Sequence, residues 1–344
     1  MAGEMSDINK VDNAFKLLTS RDPMIARLAR DDVTQVTSKR LRRPATLEDA
    51  ETFLAGVTEG EFRIPPTQIR DVWTEARKAS RRMGITWTLT EENITVTRLD
   101  KTVTANTRSK LMSTFRGQLS VERDQRLQSF PNQGKTMTCV AQDRSSSHFF
   151  RTGSYTRFTD WWFIHKVRLN LLPVNGARPW EHKNDKTCRR CGYQTETLPH
   201  VLNHCMTHSR TYTDRHNRIG ERVKTAAIAK YTITHENRDV GGLGLRPDLV
   251  IVRGEEAIIL DVTCPFDNGQ EAFTTAREEK LRNYQPVVEY LRRRYQKVTV
   301  DAIVVGSLGC WDIRNVRIMR RLCSTKLPAS LQASSGQRRH RRFP

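Results

Sequence analysis

Two aspartates stand at matching ends of two apolar runs in the segment RPDLVIVRGEEAIILDV, residues 246–262. The runs read as neighbouring strands, and residues 254–255, with glycine first, read as a two-residue hairpin loop. A loop of this length sets the pairing register of the two strands. The register pairs Val252 with Ala257, Val250 with Ile259, and Asp248 with Asp261.

The predicted pairing brings two like charges together. Directly opposed side chains in a sheet have Cβ atoms about 4.5–5.5 Å apart, and like charges at that distance are destabilising. A divalent cation bound between Asp248 and Asp261 would offset this repulsion, since carboxylate oxygens are ligands that Mg²⁺ prefers. The pattern therefore predicts a cation site. The alternative is a longer turn that leaves two unrelated surface aspartates.

A second cluster with chemical potential lies in the segment CRRCGYQTETLPHVLNHC, residues 188–205. Cys188-x2-Cys191-x8-His200-x4-Cys205 supplies three thiolates and one imidazole, a set that binds zinc tetrahedrally. His204 is the rival fourth ligand, because it lies one helical turn from His200. Four protein ligands close the coordination shell, so the predicted zinc is structural. The alternative is a set of free buried cysteines beside surface histidines.

Hydrophobic periodicity predicts the elements that position these residues. The C-terminal part reads as helix, two strands, helix, strand and helix, an α/β sandwich whose central sheet is covered on both faces. The first third reads as mainly helical with a small hairpin, and residues 131–147 read as a loop. The predicted organisation is a mostly helical linker region with the hairpin (1–150), a buried helix leading to the knuckle (151–185), the CCHC zinc knuckle (186–210), the α/β sandwich (211–323) and a disordered basic tail (324–344).

The composition indicates a polyanionic partner. The 344 residues include 58 Lys and Arg against 38 Asp and Glu, a formal charge of +20 that favours nucleic acid. Three of the seven cysteines lie within residues 188–205, a distribution typical of metal binding in a reducing compartment. The sequence shows no secretory leader and no apolar run of membrane-spanning length. It predicts a soluble intracellular protein without a membrane partner.

The order of these motifs resembles the C-terminal part of site-specific non-LTR retrotransposon Pol polyproteins, elements that typically insert into ribosomal RNA genes. The resemblance covers about residues 155–322, and the helical segment before it looks like the linker that follows the reverse-transcriptase thumb in that family. The matching residues are Cys-x2-Cys, Glu196-Thr197, His200-Val201-Leu202, Cys205, Arg215-His216-Asn217-Arg218-Ile219, Arg246-Pro247-Asp248 and Asp261-Val262-Thr263.

The resemblance implies a zinc knuckle followed by a restriction-like endonuclease of the PD-(D/E)xK type. In that family the enzyme nicks target DNA, and the new 3′ hydroxyl primes reverse transcription. The family's carboxylates correspond to Asp248 and Asp261. Thr263 stands where most such nucleases have their lysine, whereas the retrotransposon branch uses a K-x-x-K-Y pattern in the next helix. Lys280 matches its first lysine, and Asn283 replaces the second.

By this resemblance the chain is a Mg²⁺-dependent nuclease acting on duplex DNA in the nucleus, with element RNA and a reverse-transcriptase domain as further partners. Asp248, Asp261 and the Val262 carbonyl would hold Mg²⁺, and Lys280 would orient the attacking water. The residues assigned to site support are Arg246 and Tyr284, and those assigned to DNA contact are Arg189, Arg190 and Arg215.

A competing hypothesis is a non-catalytic, zinc-stabilised nucleic-acid-binding protein derived from such an element. The replacement at Asn283 favours it, and the aspartate pair with Lys280 opposes it. The sequence contains no Tyr/Phe-x-Asp-Asp polymerase signature, so no polymerase activity is predicted for this chain.

Overall fold

The computed structural model describes residues 2–63, 70–152, 157–177 and 185–323. The predicted basic tail, residues 324–344, lies outside the described residues. The chain forms two compact units, Met1–Gln125 and Arg126–Pro344, so residues 126–150 group with the second unit. In the described part of the chain, no helix is long and apolar enough to cross a membrane.

The first unit packs helices against a small antiparallel sheet. A third strand extends the predicted hairpin, giving the strand order β1-β2-β3, and the core includes Phe15, Trp73 and Phe115. The elements are α1 (Ala2–Leu18), α2 (Pro23–Leu41), α3 (Leu47–Leu54), α4 (Val72–Met83), β1 (Ile85–Leu89), β2 (Ile94–Arg98), β3 (Lys101–Thr104) and α5 (Leu111–Gln128), whose last residues pass into the second unit.

The second unit is built around a four-stranded mixed sheet in the order β4-β5-β6-β7. The first three strands are antiparallel and β7 runs parallel to β6, which confirms the predicted α/β class. The elements are α6 (Gln133–Gln142), α7 (His148–Thr152), α8 (Phe158–Arg168), α9 (Ser209–Ile228), β4 (Thr232–Glu236), β5 (Leu249–Arg253), β6 (Glu256–Thr263), α10 (Gln270–Asn283), α11 (Gln285–Leu291), β7 (Lys297–Val304) and α12 (Asn315–Leu322).

Both faces of the central strands are buried, as predicted. Ile258 and Leu260 point to one face and pack in a cluster with residues of α9 and α12. Ile259, between them in sequence, points to the other face and packs with Val287 and Leu291 of α11. Burial on both faces explains why these strands are continuous apolar runs rather than alternating ones.

Three differences from the sequence prediction lie in the second unit. Strand β4 was not expected, because it is a half-exposed edge strand with a polar sequence and a register shift between Ile233 and His235. The single helix expected over 270–294 is interrupted at Tyr284, and the next one begins at Gln285 with Pro286 in its first turn. The loop expected over 131–147 contains α6.

The loop that follows β7 is held by a buried carboxylate. Asp267 is fully buried, and its two oxygens accept hydrogen bonds from the backbone N–H groups of Leu308 (2.7 Å) and Cys310 (3.2 Å). The Thr136 hydroxyl, on α6, donates to the Asp267 carbonyl at 3.0 Å. A Cβ atom added at Gly306 would lie 2.1 Å from Asp267 Oδ1. Only glycine therefore fits at this position.

We expect Gly306→Ala to lower the free energy of unfolding by about 2–4 kcal/mol, since the added methyl must displace a buried, hydrogen-bonded carboxylate. Denaturant unfolding of the whole chain measures this change. Gly220→Ala in α9 is the matched control, because a Cβ there meets no atom within 4 Å. The control should be neutral or stabilising by up to about 1 kcal/mol. Equal stability of the two variants would contradict the predicted clash.

Candidate active site and metal centre

The cysteine and histidine cluster converges in the structure. In the described residues, one group of three or more His, Cys, Asp or Glu side chains has all its ligand atoms within 4.8 Å of one another. Cys191 Sγ lies 3.2 Å from His200 Nε2 in this group, which does not include His204. Three sulfur atoms and one imidazole nitrogen suit tetrahedral Zn²⁺. The group consists of Cys188, Cys191, His200 and Cys205.

Backbone hydrogen bonds shape the turn that carries the first two cysteines. The Cys188 N–H donates to Tyr193 O at 2.8 Å, and the Gly192 N–H donates to Cys188 O at 2.9 Å. Gly192 has φ +71°, a conformation that glycine adopts without a steric penalty. His200 begins a short π-helical turn, and its ring stacks on Tyr193 with centroids 4.7 Å apart.

The protonation preferences of Cys188 and His200 favour metal binding. For Cys191 the Tyr193 backbone lowers the pKa, but burial and the neighbouring Cys188 and Cys205 side chains outweigh it and raise the pKa. Burial opposes ionisation of the Cys188 thiol, but hydrogen bonds from the Arg190 and Cys191 backbone outweigh burial and lower the pKa of Cys188. Burial and the neighbouring His204 lower the pKa of His200. Metal ligands must be thiolates and neutral imidazoles, so both shifts favour the ligand forms. The cluster is compatible with a zinc knuckle.

The hairpin that carries the two aspartates has the predicted register. Val252 pairs with Ala257 and Val250 with Ile259, across a two-residue loop in which Gly254 has φ +56°. The ladder of paired residues ends at Leu249–Leu260, and Asp248 and Asp261 are the next residues along the two strands. Asp248 Oδ2 accepts a hydrogen bond from the Val262 N–H at 2.6 Å. The Asp248 side chain therefore reaches the strand that carries Asp261.

Asp261 is buried beneath α10 and the start of α11. Its Oδ1 accepts a hydrogen bond from the Tyr284 hydroxyl at 2.9 Å, and its Oδ2 lies 2.6 Å from Lys280 Nζ. The Tyr284 hydroxyl also lies 3.2 Å from the Arg246 carbonyl oxygen. Arg246, which the sequence analysis assigned to site support, therefore contacts Tyr284 through its backbone. Asn283, which replaces the family's second lysine, is exposed at the end of α10.

Burial and the nearby Asp248 carboxylate raise the pKa of Asp261, while Lys280 and Tyr284 oppose this rise. Burial, followed by the negative charge of Asp261, raises the pKa of Tyr284 far above its usual range. Tyr284 therefore stays protonated and donates to Asp261. A cation bound beside these carboxylates would stabilise the ionised form of Asp261.

The sequence analysis did not single out His216 as a site residue. In α9, its Nε2 lies 3.1 Å from Asp248 Oδ2 and 3.0 Å from the Val262 carbonyl oxygen. The hydrogen bond to Asp248 raises the pKa of His216, although burial opposes the shift. Helical spacing could have indicated this placement. Residue 216 precedes the buried Ile219 and Val223 by three and seven positions, so it shares their sheet-facing side.

The three arginines assigned to DNA contact have different surroundings. Arg189 Nε lies 3.1 and 3.0 Å from the two carboxylate oxygens of the buried Glu196. Arg215 donates to Asn203 Oδ1 at 2.9 Å. These two side chains therefore have partners within the fold, whereas Arg190 is exposed. DNA contact stays a prediction for all three.

The segment that carries the cysteine and histidine cluster contacts the chain just after β6, the strand that contains Asp261. Asn203 donates to the Cys264 carbonyl at 3.2 Å, three residues after Asp261. The Tyr212 hydroxyl in α9 lies 2.9 Å from the Cys205 carbonyl. Helix α9 therefore contacts the cysteine and histidine cluster at its N-terminal end and the aspartate site one turn further along.

No protein-family model matches the chain. The chain is 33% identical over 179 residues to the retrovirus-related Pol polyprotein from type-1 retrotransposable element R2 of Popillia japonica, a match that covers 49% of this chain. The chain spans 36% of that relative's length. This homology supports an origin of the chain in the Pol polyprotein of a non-LTR retrotransposon.

Proposed function

We propose that residues 211–323 form a metal-dependent endonuclease that nicks duplex DNA for target-primed reverse transcription. The observation that carries this proposal is the hairpin register that places Asp248 and Asp261 directly beyond its last pair, Leu249–Leu260. Lys280 and Tyr284 contact the second carboxylate. The formal charge of +20 favours binding to a polyanion, and the homology to a retrotransposon Pol polyprotein is consistent with nucleic-acid partners.

The residues at the end of the β5–β6 hairpin that carries the two aspartates suit a hard divalent cation. Asp261 Oδ2 is a buried oxygen that pairs with Lys280 Nζ at 2.6 Å, and within the described residues no other group donates a hydrogen bond to it. Asp248, Asp261 and the Val262 carbonyl offer oxygen atoms, the donors that Mg²⁺ prefers. We propose that they hold Mg²⁺, which when bound polarises the scissile phosphate and the attacking water.

The protein's own side chains have separate tasks in this proposal. Lys280 orients the attacking water and offsets negative charge that develops on the phosphate, because its ammonium lies beside Asp261. Tyr284 positions Asp261 through its hydroxyl. The knuckle holds a structural zinc and fixes the N-terminal part of α9 through Tyr212.

A plasmid-nicking assay tests the proposal. The purified, zinc-loaded chain should convert supercoiled plasmid to the nicked form with Mg²⁺, and should not do so when Mg²⁺ is omitted but zinc is kept. EDTA serves as a second control. DNA binding without nicking under any of these conditions would replace the nuclease with the competing function, a non-catalytic zinc-stabilised nucleic-acid binder.

Lys280→Met is expected to lower the nicking rate by about 10²–10³-fold, since it removes a charge that acts on the transition state. Tyr284→Phe should cost less, about tenfold, because it removes only a positioning hydrogen bond. Single-turnover nicking rates measure both effects. Lys224→Met in α9 is the control, since Lys224 pairs with Glu236 and takes no part in the site. Equal rates for Lys280→Met and the control would contradict the assigned role.

The proposed reaction implies further partners. A nick leaves a 3′ hydroxyl that a reverse-transcriptase domain extends on element RNA, so we propose both as partners and the nucleus as the compartment. Fluorescence imaging of the tagged chain in cells tests the compartment, and exclusion from the nucleus would contradict it.

A further inference from the structure

His216 lies beside the oxygen atoms that are proposed to hold the cation. Its Nε2 faces two oxygen atoms, Asp248 Oδ2 at 3.1 Å and the Val262 carbonyl at 3.0 Å. We propose that His216 Nε2 is a ligand of the divalent cation at this site, which makes the site a mixed oxygen and nitrogen centre suited to Mn²⁺. This inference rests on the proposed function only in requiring a cation beside Asp248.

The distances between these atoms match those between ligands of one ion. Neighbouring ligands of an octahedral ion at about 2.1 Å are about 3 Å apart. The separations of His216 Nε2 from both oxygens have this value. The three atoms come from α9, from the residue before β5 and from β6, so the fold brings three separate segments to one point.

A simple hydrogen-bond role accounts for this arrangement less well. An imidazole nitrogen carries at most one proton, whereas Nε2 faces two acceptor oxygens. A bound cation would displace that proton, since an imidazole ligates as the neutral form. Asp261 is already engaged by Lys280 and Tyr284. In the described residues, His216 and the two aspartates are not among the groups whose ligand atoms all lie within 4.8 Å. One ion could therefore not contact all three side chains as they are placed. Asp248, His216 and the Val262 carbonyl already lie together, and Asp261 would reach the same ion only after its side chain shifts.

A nitrogen donor changes the metal preference of the site. Mg²⁺ binds oxygen ligands almost exclusively and keeps several waters, whereas imidazole raises the relative affinity for transition metals such as Mn²⁺. Loss of His216 should therefore weaken Mn²⁺ binding more than Mg²⁺ binding.

Pulsed EPR of Mn²⁺ bound to the zinc-loaded chain tests the inference without an activity measurement. One equivalent of zinc per chain keeps Mn²⁺ from the three thiolates, which prefer the softer metal, and leaves no excess zinc to compete with Mn²⁺ for an imidazole ligand. Wild-type protein should show imidazole nitrogen coupling to the bound Mn²⁺. His216→Gln should lose this coupling and bind Mn²⁺ at least about tenfold more weakly. Mutation of a residue that only hydrogen-bonds a metal ligand already weakens metal binding by about that factor. His235→Gln, in the edge strand β4, is the matched control and should keep both.

A second measurement needs no substitution and so does not depend on folding of the variant. Labelling all histidines with ¹⁵N should convert the ¹⁴N modulation of bound Mn²⁺ to the ¹⁵N pattern. Wild-type protein that binds Mn²⁺ without imidazole coupling, or that binds no Mn²⁺, overturns the inference, as does coupling that survives in His216→Gln. Imidazole coupling in a chain that nicks no plasmid overturns the proposed nuclease alone. Nicking that requires Mg²⁺, without any imidazole coupling, overturns the ligand assignment alone.

Discussion

Replacing Asp261 by asparagine is expected to reduce Mg²⁺-dependent plasmid nicking by at least about 10²–10³-fold. Asparagine keeps the side-chain shape and still accepts the hydrogen bond from Tyr284, but it removes the charge that would hold the cation. The effect should therefore appear in the rate of nicking rather than in folding. Single-turnover nicking at saturating Mg²⁺ measures it.

Stability measurements separate this loss of activity from misfolding. Burial and Asp248 raise the pKa of Asp261, so the ionised carboxylate costs the folded state free energy once the pH exceeds its ordinary pKa. The neutral asparagine avoids this cost, and we expect Asp261→Asn to unfold at the same temperature as the wild type or higher at neutral pH. Asp239→Asn, at an exposed position in the same unit, should change neither property. Undiminished nicking by Asp261→Asn would end the assignment of this carboxylate to catalysis.

Loss of the zinc site is expected to have the largest effect on folding. Cys205 is completely buried, and the Tyr212 hydroxyl of α9 contacts its carbonyl at 2.9 Å. Structural zinc in small modules contributes about 10–16 kcal/mol of apparent binding free energy, far more than the local packing alone. Cys205→Ser should therefore lower the zinc content and the unfolding temperature together, and should loosen the α9 segment that carries His216.

Metal analysis and thermal unfolding of the same samples check this prediction. Wild-type protein should bind one zinc per chain at the cluster. His204→Gln is the matched control, since His204 is the exposed rival ligand and lies outside the cluster. It should keep both the zinc and the stability. If His204→Gln loses zinc while Cys205→Ser retains it, the ligand assignment is reversed.

The sequence by itself determined the features that depend on local spacing. A two-residue loop beginning with Gly254 leaves one pairing register for the flanking strands, so the positions of Asp248 and Asp261 just beyond the Leu249–Leu260 pair followed from counting residues. The Cys-x2-Cys turn and the short interval from His200 to Cys205 likewise bring the cluster together over short stretches of chain. The covered sheet followed from continuous apolar strands.

Contacts between distant segments were decided only by the tertiary structure. Helix α6 forms in a stretch rich in loop residues because Thr136 and Cys139 are buried, with Thr136 bonded to the distant Asp267. Arg215 was assigned to DNA, yet it bonds Asn203 within the fold. His216 meets Asp248 from another element, across an intervening strand and loop in the sequence. Such contacts depend on how helices pack onto the sheet. Helical spacing indicates that His216 faces the sheet, but it does not specify which polar side chain His216 meets there.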